Sequence, residues 1–364
     1  MTNLRRSYTI MIAVVSVIII SSSCERSAAG KNAPRNDSTS RSASVAAPVR
    51  SVSPDSDDRF WQSAKPKEDL ELNSKALAAH LVLCERTRAD ACLVVHHDRI
   101  VQEWYAPTYN PPMFAMSSTK SVTGLLTGML IDDGRIRSPD VTVCTFIPSW
   151  CIGWRAPVTL RHLLTMTSGL PQMRDSSVEN RRDKNDYVTH LVPMAQPGTK
   201  WAYSNEGVQL LSPILDAAAK EPIQDYARRR LFEPLGMYHT RLGENDHHAW
   251  TFMGMATTPR DFARLGLLAL HHGMWDGKQI VSADWISQST TPSQTLNTWY
   301  GLLWWIMPQV RGYAMLGAFD TSMYVIPDMD LVIVRMQKFT KTPIREGEYG
   351  REGIRLFRSL IRSH

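Results

Sequence analysis

Apolar positions along this chain change their spacing several times, and each change marks an element. Residues 8–20 form a nearly unbroken apolar run behind Arg5 and Arg6. Residues 25–58 instead hold Ser, Ala, Asn, Asp and Pro, with almost no large apolar side chain. Over 69–84 leucines recur at helical spacing (Leu70, Leu72, Leu77, Leu81, Leu83), which predicts a helix. Residues 91–95 and 100–105 read as two strands joined by the short His97-Asp98-Arg99 connection, a hairpin. A second helix is predicted over 117–133 from Val122, Leu125, Leu126, Met129 and Leu130, with Gly134 as its stop. Further helical patterns occupy 160–166, 206–220, 223–231 and 259–271, whereas 171–197 is charged and polar and reads as a long surface loop. Strands are predicted at 299–307, 312–316, 322–326 and 331–336. A terminal amphipathic helix follows, with Ile354, Phe357, Leu360 and Ile361 on one side and Arg355, Arg358 and Arg362 on a solvated face.

Helix, hairpin, helical insertion, strands, helix: this order predicts an α+β fold. Strands from both chain ends join one central antiparallel sheet, helices flank it, and a mostly helical lobe is inserted at about 113–270. The chain has 364 residues, 43% of them hydrophobic, which suits a large core and excludes a disordered protein. The formal charge of +6 is spread thinly, without the clustered basic face that nucleic acid requires, and no Gly-rich phosphate loop occurs. Nucleic-acid binding is therefore not expected.

The leader changes the picture more than the charge does. An apolar run of 13 residues is short for a membrane span but suits a secretory signal. Ser21, Ser22 and Ser23 before Cys24 resemble a bacterial lipoprotein cleavage site, although Ser21 stands where an aliphatic residue is usual. Residues 1–24 thus read as a signal peptide with Cys24 as lipidation site, 25–58 as a flexible linker, and 59–364 as the folded domain. The expected location is periplasmic, with the lipid anchor as the only membrane contact. Cys84, Cys92, Cys144 and Cys151 allow one or two disulfides, in pairings that spacing leaves open. No His or Cys lies at zinc-ligand spacing, and neither metal nor cofactor is expected.

The candidate chemistry begins at Ser117-Ser118-Thr119-Lys120, which opens a predicted helix. Ser and Lys at i and i+3 share a helix face. A serine hydroxyl attacks well only when a base takes its proton, and a lysine one turn away does so if its surroundings depress its pKa. Tyr203-Ser204-Asn205 follows on a turn before another helix. Its phenol can share a proton with Ser117 and Lys120 and pass it to a leaving group. The Asn205 amide can hold Lys120 and a substrate carbonyl.

Together, Ser-x-x-Lys and Tyr-x-Asn resemble the serine β-lactamase and penicillin-binding superfamily, in its class C and esterase-like branch. The blocks at 158–170, 232–237 and 254–264 fit the same order, so the resemblance covers roughly 60–364. It implies a β-lactamase/transpeptidase-like fold and a serine hydrolase without cofactor, acting on a small ester or amide. Ser117 is then the nucleophile and Lys120 with Tyr203 the general base and acid, with Asn205 in support. The family's third element, Lys-Thr-Gly or His-x-Gly, corresponds to Met315-Leu316-Gly317, so the basic residue is absent. That departure argues against efficient β-lactam hydrolysis and D-Ala carboxypeptidase activity. Gly317 is kept, and the Ala318 N–H can still complete an oxyanion hole with that of Ser117. Gly-Ala-Phe is similar to the branch of 6-aminohexanoate-dimer hydrolases and esterases, with Asp320 and Thr321 in a turn where glycine is usual. Asp320 reads as a turn residue, the alternative being a pocket residue that selects a cationic group. A β-lactamase, a D-Ala-directed peptidase and a non-catalytic envelope-binding homologue stay open as alternatives.

Overall fold

A computed structural model describes residues 60–61, 72–172, 177–245, 248–338 and 347–361. The segments read as signal peptide (1–24, with Cys24) and as linker (25–58) lie outside the described residues. Six strands form one antiparallel sheet: β1 (Ala91–His96), β2 (Arg99–Tyr105), β3 (Trp305–Met307), β4 (Gly312–Leu316), β5 (Ser322–Ile326) and β6 (Leu331–Met336), in the order β2-β1-β6-β5-β4-β3. The fold is α+β, with the sheet built from both ends of the chain. β1, β5 and β6 are buried along their whole length, which explains their continuous apolar runs. β2 is half-buried throughout and forms one edge. His97 and Asp98 both take left-handed φ, +47° and +60°, as a two-residue hairpin turn with the right twist requires.

In chain order the helices are α1 (Ser74–Arg86), α2 (Thr119–Asp132), α3 (Leu160–Leu164), α4 (Lys184–Thr189), α5 (Asn205–Gln209), α6 (Leu211–Ala219), α7 (Ile223–Ala227), α8 (Pro259–Leu270), α9 (Ala283–Ser289) and α10 (Glu348–Phe357). α8 lies against one sheet face, so close that a Cβ on Gly266 would fall 2.6 Å from Val332 Cγ1 and 2.8 Å from Met323 Sδ. On the opposite face Tyr324 packs against Phe357 of α10 with ring centroids 5.0 Å apart. Met323 and Tyr324 thus show the period-two alternation of a strand. Two disulfides, Cys84–Cys92 and Cys144–Cys151, settle the pairing left open by spacing.

Three readings of the sequence need correction. The polar segment 171–197 is more than a surface loop. It contains α4 and buries Val178 and Val188, and with them Lys184 and Asn185, whose polarity in the sequence speaks for solvent. The helix read over 206–220 is two helices meeting at Leu210. Pro213 has no N–H for the Gln209 carbonyl, so the first helix cannot run on through it. Of the strand read over 299–307, Trp305–Met307 joins the sheet, while Leu303 at φ +63° turns the chain back so that Tyr300 bridges Trp305 instead.

α2 is buried from Thr119 to Leu130, so it is the central post of the helical lobe rather than a surface helix. Its glycines admit neighbours: Trp285 of α9 donates Nε1–H to Gly124 O at 3.0 Å, and a Cβ on Gly128 would sit 2.1 Å from Trp285 Cδ1. Gly128→Ala is expected to lower stability by about 1–3 kcal/mol through overpacking. A urea midpoint equal to that of the unaltered protein would contradict this.

Candidate active site

The site lies where a short strand, a turn and α2 succeed one another. Met113–Phe114 pairs with Ala256–Thr257, and Ala115 N–H donates to Met255 O at 2.8 Å. Met116 then takes φ +52°, and a single 3-10 turn, Met116–Ser118, leads into α2. This left-handed residue forces the sharp reversal that sets Ser117 at the head of the helix. Thr119 holds the turn: its Oγ1 donates to Met116 O at 2.6 Å and accepts from Met255 N–H at 3.0 Å.

Lys120 is buried one turn further on. Its Nζ lies 3.1 Å from Ser117 Oγ and donates to Phe252 O at 2.7 Å. That carbonyl is fixed because the adjacent Thr251 is tied on two sides. Thr123 Oγ1 donates to Thr251 O at 2.7 Å, and Thr251 N–H donates to Gln209 Oε1 at 3.1 Å. Burial drives the Lys120 ammonium down to about 7, against the opposing pull of the Glu179 and Glu206 carboxylates. Nζ also sits 4.9 Å from the Tyr203 ring centroid.

Tyr203 is brought in by the 158–170 block. Met166, at φ +61°, offers its carbonyl to Ala202 N–H at 2.9 Å, and Thr167 O accepts from Gly198 N–H at 2.8 Å. Gly169, at φ +76°, must be glycine, because a Cβ there would fall 2.1 Å from Ala195 O. The Tyr203 hydroxyl is hydrogen-bonded to Ser117, and burial raises its pKa well above the usual tyrosine value. Trp305 stacks on its ring at 5.9 Å, and Tyr300 and Trp201 pack edge-on or tilted around it. Trp304 points the other way, against Tyr313 at 5.4 Å, so the adjacent tryptophans serve opposite sides.

Asn205, at the start of α5, departs from its expected contact. Its Nδ2 donates to Glu179 Oε1 at 2.9 Å, while Lys120 is held by the Phe252 carbonyl instead. Glu206 is buried, and its Oε1 accepts from Ser177 and Val178 N–H at 2.9 and 3.3 Å, which fixes the strand of chain bearing Glu179. Sequence reasoning missed both carboxylates. Glu206 follows Tyr-x-Asn directly, a signal that was legible; Glu179 lies in the segment read as loop.

The third element borders the Ser117 turn. A Cβ on Gly317 would fall 2.6 Å from Ala115 O and 3.0 Å from Met116 Cβ, so only glycine lets β4 approach the Ser117 turn. Met315 is buried opposite Met323, where its thioether serves packing. Asp320 is a turn residue, as favoured, with its carboxylate aimed at α10: Oδ1 accepts from Gly347 N–H at 2.8 Å and Oδ2 from Tyr349 N–H at 3.2 Å. His80 lies beside the two sulfurs of Cys84 and Cys92, a possible ligand set by position. Those sulfurs are bonded to each other and offer no thiolate.

Antiparallel sheet, flanking helices and a Ser-x-x-Lys helix start define the β-lactamase/transpeptidase-like fold. Residues 77–354 match the Beta-lactamase family, and the chain belongs to it. Over 308 residues it is 23% identical to the 6-aminohexanoate-dimer hydrolase of Paenarthrobacter ureafaciens, covering 75% of this chain and 78% of that protein. Protein flp of Staphylococcus aureus (strain MRSA252) is 29% identical over 140 residues, 36% of this chain and only 28% of flp. The chain thus spans little more than a quarter of that relative. A Bacillus anthracis structure assigned as a 6-aminohexanoate-dimer hydrolase superposes with a TM-score of 0.67 at 22% identity, covering 77% of this chain and 80% of that one. Hydrolases thus stand among the proteins this chain is similar to.

Proposed function

We propose that this protein is an exported serine hydrolase that cleaves a small ester or amide through an acyl-enzyme on Ser117. The observation that carries the reading is the buried Lys120 amine, 3.1 Å from Ser117 Oγ and with its pKa lowered to about 7. Neutral Lys120 takes the Ser117 proton as Oγ bonds to the substrate carbonyl carbon. The carbonyl electron pair moves to oxygen, where the N–H groups of Ser117 and Ala318 hold the oxyanion. As the tetrahedral adduct collapses, the leaving oxygen or nitrogen takes a proton from the Tyr203 phenol, and Lys120 ammonium reprotonates Tyr203. Water, giving its proton to neutral Lys120, attacks the ester carbonyl of Ser117; as this adduct collapses, Ser117 Oγ takes the proton back from Lys120 and the acid leaves. The high phenol pKa suits Tyr203 to donating rather than accepting at neutral pH.

Esters or amides are favoured over β-lactams because Met315 is buried where a carboxylate-binding cation would stand. Cys24 as lipid anchor and 25–58 as tether would place the site outside the cytoplasm. The test is a fluorophosphonate probe followed by mass spectrometry, beside turnover of p-nitrophenyl esters and nitrocefin. Labelling on Ser117 with ester turnover far exceeding that of nitrocefin is expected. Absence of labelling would favour a non-catalytic homologue, and rapid nitrocefin turnover a β-lactamase.

A further inference from the structure

The turn at 317–321 carries Asp320 after Phe319, where the branch resembled usually has glycine. Phe319 adopts φ +61° and ψ +28°, and Asp320 follows at φ +54°. Two consecutive L residues in the left-handed region are unfavourable, and such geometry persists only where its surroundings hold it. The turn's ends are tied by Gly317 N–H to Thr321 O at 2.7 Å and Thr321 N–H to Ala318 O at 3.2 Å. Its middle is held from below. Buried Arg335 on β6 donates Nη1–H to Phe319 O at 2.7 Å, and Nη2–H to Thr87 O and Gln337 Oε1 at 2.6 and 2.7 Å. Asp320 reaches the first turn of α10, and the Tyr349 ring covers the Arg335 guanidinium with Cζ 5.2 Å from its centroid.

We propose that Asp320 and Arg335 are positioning residues that clamp this turn in its left-handed form and thereby set the Ala318 N–H beside Ser117. The inference rests on the serine-hydrolase reading, since it assigns the clamp to the oxyanion side of that site. Pulling Phe319 O toward Arg335 and the Asp320 side chain toward α10 fixes both peptide planes beyond Ala318. Without the clamp, Phe319 and Asp320 relax to ordinary φ and the turn opens away from Ser117.

Glycine separates this role from simple capping of α10. Asp320→Ala and Asp320→Gly remove the carboxylate equally, yet only glycine adopts φ +54° without penalty. Asp320→Ala is expected to lower ester kcat about tenfold, the population penalty of a left-handed L residue. Asp320→Gly should stay within about threefold of the unaltered protein. In both, KM and the pH midpoint set by Lys120 stay in place, and the rate of phosphonate labelling of Ser117 falls with kcat. Equal losses in the two variants, a larger loss for glycine, or a displaced pH midpoint would overturn the clamp. Should Asp320→Ala fail to fold, Asp320→Ser takes its place in the comparison with Asp320→Gly: a serine variant slower than the glycine variant supports the clamp, and a serine variant as fast as glycine or faster refutes it. Labelling of Ser117 in the unaltered protein separates the two levels. If it is absent, the hydrolase reading falls and the clamp with it; if it is present, only the clamp is at stake.

Discussion

Ser117→Ala is expected to abolish ester turnover, with kcat falling by about 10^4-fold or more. The hydroxyl lies against both Lys120 Nζ and the Tyr203 phenol, and an alanine puts no oxygen in its place. The fold should survive, because alanine has high helix propensity and the surrounding turn is held by Thr119 and Met255 instead. Steady-state hydrolysis of a p-nitrophenyl ester, with circular dichroism as a folding control, checks it. Activity retained at even a tenth would remove Ser117 from the mechanism.

The second large effect concerns Lys120. A base with pKa about 7 makes kcat/KM rise with pH and level off above neutrality. Lys120→Met is expected to lower kcat by about 10^3-fold and to remove that limb from the pH profile. The same burial sets an opposite effect on stability. In the unfolded chain the amine titrates near 10.5, in the folded protein near 7, so between these values the unfolded state binds more protons. Stability therefore rises with pH across that window, and below it the full cost of the buried ammonium is present. Lys120→Met should be more stable than the unaltered protein, most visibly at pH 6, by a few degrees in Tm. Thermal melts at pH 6 and pH 9 test this: a variant that loses stability at pH 6 would mean that the ammonium is well compensated where it lies.

Much of this molecule was legible in one dimension. Strands 312–316, 322–326 and 331–336 match β4, β5 and β6 because each is a short, continuous apolar run between turn residues, and burial on both faces leaves no other reading. The Ser-x-x-Lys and Tyr-x-Asn motifs were legible because each is local: i and i+3 meet on any helix, and a turn before a helix needs no distant partner. What escaped was everything that depends on contact across the chain. Glu179 belongs to a segment whose charge pattern speaks for solvent, and only Asn205, 26 residues later, shows that it borders the site. The Phe252 carbonyl leaves no trace in sequence, since every residue has one.

The sequence by itself determined the fold class, the family and the three groups placed together at the site. Tertiary structure decided what those groups can do. It buries Lys120 and so lowers the pKa of its amine to about 7, which no local pattern encodes because desolvation is a property of everything packed around it. It also directs Asp320 to the backbone of α10 and Arg335 of β6 to Phe319 O, around a turn beside Ser117 that holds two left-handed residues. Periodicity and motif report neighbours along the chain; burial and strain arise from neighbours in space.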